Sequence, residues 1–98
     1  SGGENVYPAE VEAVLLQHPD VLEAAVVGTP DERWGEVGHA SLVVKPGSQI
    51  PDEGDLRAFC RARLAGYKVP KAFVVRPALP RTALGKVIKE ELRRAAQS

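Results

Sequence analysis

Ninety-eight residues with 44% hydrophobic content suit one domain around one core. No apolar run approaches the ~20 residues that cross a bilayer, and no secretory leader opens the chain, so no membrane span is expected. The zero net charge hides a split: residues 1–50 carry two basic and eight acidic side chains, a balance of −6, and residues 51–98 carry eleven and five, a balance of +6.

A first helix is expected from near Pro8, since proline suits the first helical position. Glu10 and Glu12 sit near its positive end, Val11, Val14, Leu15 and His18 form one stripe, and Pro19-Asp20 stops it. Leu22 to Gly28 reads as a strand apolar on both faces, hence an interior strand. Thr29 to Gly35 has loop chemistry, and His39 to Lys45 reads as an antiparallel partner strand ending at the Pro46-Gly47 turn. A second helix is expected from Asp52 to Leu64 with Leu56, Phe59, Cys60 and Leu64 on its buried stripe, and Gly66 as its C-cap. Ala72 to Arg76 gives a short third strand, and Val87 to Ala96 a last helix with Lys86 at its mouth. The order αββαβα predicts an α+β domain, a small three-stranded sheet flanked by helices.

Cys60 has no partner for an internal disulfide, and its place on the apolar stripe reads as a buried structural thiol in a reducing, cytoplasmic setting. His18 and His39 stand apart, without ligand spacing, so no metal site is expected. The basic half suggests a surface that meets phosphates, of a small ligand or of nucleic acid; solvated helix faces account for Arg57, Arg61, Arg93 and Arg94. Its lysines and arginines are not interleaved with an aromatic RNA-binding platform, which argues against nucleic acid and against a stand-alone basic interaction module. Lys86 stands out most, because a helix start carries partial positive charge and disfavours a cation. A lysine placed there makes sense if it reaches for an anion.

Three patches resemble one family, the AMP-forming adenylating enzymes: acyl- and aryl-CoA synthetases, luciferases and peptide-synthetase adenylation domains. Gly2 to Glu12 resembles the loop and helix after the interdomain hinge, and Val26 to Glu36 looks like the strand and loop that follow. Ala65 to Lys71 and Leu79 to Lys86 are similar to the closing segments. The match covers essentially the whole chain and implies that residues 1–98 are the single C-terminal lid domain of an acyl-CoA synthetase. The large N-terminal domain, with its ATP-binding loop and acyl pocket, is absent, and the fragment alone is expected to be inactive.

What the resemblance implies is a two-step ligation. A carboxylic acid attacks the α-phosphate of ATP, whose Mg2+ is held by the absent domain; the thiol of coenzyme A then attacks the acyl-adenylate. Lys86 matches the catalytic lysine of the first step. At an effective dielectric near 20, a cation ~4 Å from a developing negative charge gains about 4 kcal/mol before desolvation. Gly85 would let the backbone pass closely. Gly2, Gly3, Glu4 and Asn5 would help line the pantetheine channel, and Trp34, Tyr67 and Lys71 would meet the nucleotide end of CoA. Val69 departs from the family's pattern, which often has a basic residue there. Acceptors other than CoA, a carrier-protein pantetheine or luciferase-like oxidation of the adenylate, remain the alternative within the family.

Overall fold

Local chemistry sets the element ends. The computed structural model describes residues 6–97 and gives α1 (Pro8–Leu15), β1 (Val21–Asp31), β2 (Gly35–Val44), α2 (Glu53–Arg61), a 3-10 turn (Gly66–Lys68), β3 (Ala72–Val75) and α3 (Lys89–Ala96). The α+β class and the order αββαβα stand as expected. Pro8 opens α1, and Val11, Val14 and Leu15 are its buried residues. The helix stops before Pro19, because the Gln17 and His18 N–H groups turn back to the Val14 and Leu15 carbonyls, a tighter three-residue spacing. His18 therefore leaves the helical stripe; its Nδ1 accepts the Asp20 N–H at 3.1 Å, and its ring packs edge-on against Phe59.

The β1–β2 hairpin is longer than expected. Thr29 to Asp31 are not loop but strand, paired with Val37, Glu36 and Gly35. Only Glu32 to Trp34 turn, and two features fix that turn. Asp31 Oδ1 accepts the N–H groups of both Arg33 and Trp34 at 2.9 Å, and Gly35, at φ 81°, supplies the left-handed residue that a three-residue hairpin loop needs. Asp52 caps α2 by accepting the Asp55 N–H, as its position implied. Gly66 does not cap that helix: α2 ends at Arg61, and Gly66 opens the 3-10 turn with no positive φ.

The sheet order is β1-β2-β3, antiparallel between β1 and β2 and parallel between β2 and β3. A parallel pair needs a crossover, and α2 supplies it. β1 is thus an edge strand, not an interior one. Its two-sided apolarity has another cause, since helices cover both faces. Val11, Val14 and Leu15 of α1 and Leu56 and Cys60 of α2 join Val26, Ala40, Leu42 and Phe73 in one core cluster. Leu92 of α3 and Leu79 meet Ala25, Val27 and Val43 in the other. A register irregularity between Val21 and Glu23 shifts the alternation, so Val21 shares a face with Val26 although five residues separate them. Cys60 is fully buried, and burial pushes its thiol pKa up, which keeps it protonated and structural.

One carboxylate ties these layers together at the open edge. Glu12 Oε2 accepts the Val26 N–H at 2.8 Å and faces Lys89 Nζ at 2.8 Å. It joins α1, the β1 edge and α3, which pack on different faces of the sheet. Replacing Glu12 by Ala is expected to lower stability by about 1–3 kcal/mol, the range for a hydrogen bond to a charged group and its orphaned partner. Glu10→Ala, which breaks only the exposed pair with Lys68, should shift the thermal midpoint far less. Melting curves of the two variants check the difference.

His39, on β2, has a buried Nδ1 without a hydrogen-bond partner among the described residues. Burial pushes its pKa below the ordinary 6.5, the Arg76 charge pushes the same way, and Glu53 opposes weakly. A depressed folded value means that the unfolded chain takes the proton first. Full stability is therefore expected above pH 6.5, with a loss as pH falls through the lower folded value. Denaturant midpoints across that window should decline for the natural sequence and flatten for His39→Gln.

Candidate functional site

The lysine loop departs from its expected place. Lys86 is not in the first turn of a helix: α3 begins at Lys89, and Val87 forms a bridge with Arg81. The reason lies in the backbone. The Lys86 carbonyl accepts the Thr82 N–H at 2.8 Å, and the Ile88 N–H donates to the Pro80 carbonyl at 2.9 Å, so these groups pair with residues 80–82 rather than entering the helix. The macrodipole mismatch does not arise.

Within the loop the Gly85 N–H closes a turn onto the Thr82 carbonyl at 2.9 Å, and Thr82 Oγ1 accepts the Lys86 N–H at 3.1 Å. Gly85 sits at φ 90°, where a side chain would be strained, and nothing lies within 4 Å of the Cβ it lacks. Its glycine is required by conformation, not by close approach within this domain. Arg81 donates to the Gly85 carbonyl at 2.7 Å and pairs with Glu23 of β1. Residues 81–86 are all exposed, and among the described residues no group pairs with the Lys86 ammonium.

Trp34, Tyr67 and Lys71, by contrast, come together. They share a cleft of about 690 Å³ with Val6, Glu36 to Gly38, Arg57, Arg61 and the 3-10 turn. The hairpin turn delivers Trp34, 51% exposed with Arg33 over its ring at 4.9 Å. The turn after α2 delivers Tyr67, which is 65% exposed and caps no core. Lys71 is set by its N–H, which donates to the Gly38 carbonyl at 2.9 Å, and by its ammonium, 3.0 Å from Asp31 Oδ2. That lysine first, and then the Trp34 and Arg33 N–H groups, hold the Asp31 carboxyl below its ordinary range. Asp31 thus fixes the turn and the lysine together.

The other cations differ in how far they are committed. Lys68 lies 2.8 Å from Glu10, which raises its pKa, and sits over the Tyr7 ring at 4.6 Å. Arg57 bonds Glu53 at 2.9 Å and the Lys71 carbonyl at 2.8 Å. Arg61 lines the same cleft without a partner among the described residues. Reading Arg57 and Arg61 as solvated helix faces missed their position. Their four-residue spacing, each directly after a residue of the buried stripe, Leu56 or Cys60, was the available signal. Gly2, Gly3, Glu4 and Asn5 lie outside the described residues.

The model of one protein family, the AMP-binding enzyme C-terminal domain, matches residues 10–86. The chain is 58% identical over 94 residues to a 2-succinylbenzoate–CoA ligase of Geobacillus kaustophilus, covering 96% of this chain and 19% of that protein. It is 55% identical over 94 residues to a feruloyl-CoA synthase of Amycolatopsis, with the same shares. Among solved structures it is similar to the o-succinylbenzoate CoA synthetase of Bacillus subtilis in complex with its acyl-adenylate intermediate. There the TM-score is 0.84 at 49% identity, over 95% of this chain and 19% of that one. The chain therefore spans about a fifth of the length of these relatives, and it belongs to the AMP-binding enzyme C-terminal domain family.

Proposed function

We propose that residues 1–98 form the single lid domain of an ATP-dependent, AMP-forming acid–thiol ligase, completed by a large N-terminal adenylation domain. The substrates are a carboxylic acid, ATP with its Mg2+ on the large domain, and coenzyme A. What supports this reading is the spacing of two cationic stations along β1. Glu23 pins the lysine loop through Arg81, and Asp31 pins Lys71 and the Trp34 turn. Eight residues at ~3.3 Å each put the two anchors roughly 26 Å apart. Both stations cannot serve one acyl carbon at once. They serve it in turn, as the domain presents one end and then the other.

Lys86 is the cation for adenylate formation. It offsets the repulsion between the incoming carboxylate and the α-phosphate as charge builds on the nonbridging oxygens. Its loop is fixed by backbone and threonine hydrogen bonds, and the ammonium is committed to no group among the described residues. Gly85 sets the turn that presents it. The cleft serves thioester formation. Trp34 and Tyr67 offer aromatic faces to adenine, each stack being worth about 1–3 kcal/mol, and Lys71 offers charge to phosphate. Arg61, on the facing helix, provides a cation that Val69 does not. A bare carrier-protein pantetheine would leave the aromatic and cationic lining of this cleft unused, which favours CoA as acceptor. Gly2, Gly3, Glu4 and Asn5 line the pantetheine path.

The two half-reactions of the full-length parent enzyme test this division, with 2-succinylbenzoate, ferulate and a fatty acid tried as the acid. Lys86→Ala is expected to slow acid-dependent pyrophosphate release by ~10²–10³-fold. CoA transfer from added acyl-adenylate should stay within a few-fold. Lys71→Ala should do the reverse, raising KM for CoA about tenfold with adenylation intact. Normal adenylation by Lys86→Ala would sink the proposal.

A further inference from the structure

Leu84 is 98% exposed, in a loop that gives it nothing to cover. A single surface leucine is ordinary. This one differs in how it is held. Four hydrogen bonds lock residues 81–86 onto one another: Gly85 N–H to the Thr82 carbonyl, Thr82 N–H to the Lys86 carbonyl, Lys86 N–H to Thr82 Oγ1, and Arg81 to the Gly85 carbonyl. The Arg81–Glu23 pair fastens the loop's base to β1. The loop has a set shape, residues 82–86 are exposed, and open space surrounds the Cβ position of Gly85 among the described residues. A slack tip would let Leu84 fold back onto apolar surface; this one does not.

Leu84 and Lys86 are two residues apart in one fixed turn, so their Cα atoms lie within ~7 Å of each other. A surface that admits the Lys86 ammonium to a reaction centre brings Leu84 within reach of that same surface. We propose that Leu84 is an apolar anchor that seats the lysine loop on the large N-terminal domain in the adenylate-forming orientation. Its partner is an apolar pocket at the rim of the nucleotide site. Leu84 is a positioning residue: it touches no substrate and acts through the placement of Lys86. The inference rests on the proposed role of Lys86. It adds that the two domain orientations differ in whether this leucine is covered.

The test uses the full-length enzyme with Leu84→Ser, Leu84→Met and Lys86→Ala, reading acid-dependent pyrophosphate release and CoA transfer from added acyl-adenylate. Leu84→Ser is expected to cut the adenylation kcat/KM roughly ten- to hundredfold, the scale on which a buried leucine contributes. Leu84→Met should restore most of it. Thioester formation and the melting temperature should not change, which separates positioning from folding. Adenylation within twofold of normal for Leu84→Ser, alongside a crippled Lys86→Ala, would overturn the anchor and leave the role of Lys86 standing. Equal losses in both half-reactions, or a methionine variant as poor as the serine one, would also overturn it. Normal adenylation by Lys86→Ala would remove the reading on which the anchor rests.

Discussion

The Glu12 carboxylate at the rim of the sheet is the contact on which the arrangement depends. An edge strand presents N–H groups that need partners or invite foreign strands. Here Val26, midway along β1, donates to Glu12 instead, and Lys89 closes on the same oxygen. A helix on one face, the strand and a helix on the other are thereby held at one point. Both faces of β1 are covered, by α1 and α2 on one side and α3 on the other. That strand is the spine between the lysine loop at Glu23 and the cleft at Asp31. Rigid spacing between two stations is what a domain needs if it is to present them alternately.

The charge split acquires a structural meaning from the same contacts. Among the described residues, four ion pairs join the acidic first half to the basic second half: Glu10–Lys68, Glu12–Lys89, Glu23–Arg81 and Asp31–Lys71. Segregation along the sequence becomes neutralisation in space, so chain halves of opposite sign need not imply a polyanionic partner. Lys86 and Arg61 are among the cations without such a partner among the described residues; Arg61 lines the cleft at one end of the spine, and Lys86 stands on the exposed loop at the other.

Most of the fold was legible because its signals are local. Pro8, Asp52 and the Pro46-Gly47 turn placed their elements within a few residues. Failures came where lateral or long-range context decides. Two-sided apolarity in β1 reports that both faces are covered; it carries no information about which strands lie beside it. Gly66 looked like a helix cap because glycine usually serves there, yet α2 had already ended and the chain needed a turn instead. Trp34, Tyr67 and Lys71 were gathered by resemblance from distant positions, and the fold brings them together. Arg61 escaped notice because an exposed helical arginine looks alike whether it faces solvent or a cleft.

The position of Lys86 outside α3 changes the physical account of its chemistry. A lysine in the first helical turn would face the partial positive charge of the helix, and its chemistry would begin from a strained placement. In the observed loop the backbone conformation is settled by Thr82, Gly85 and Arg81, and the ammonium takes no part in it. Neutralising that side chain therefore removes a charge without removing a structural contact. Lys71 is the opposite case. Its ammonium is oriented by Asp31, so a phosphate arriving in the cleft must share or displace that carboxylate. The two lysines are prepared differently for the two proposed steps. On the proposed reading, one enters a site built elsewhere, and the other waits beside Asp31 for a ligand that comes to it.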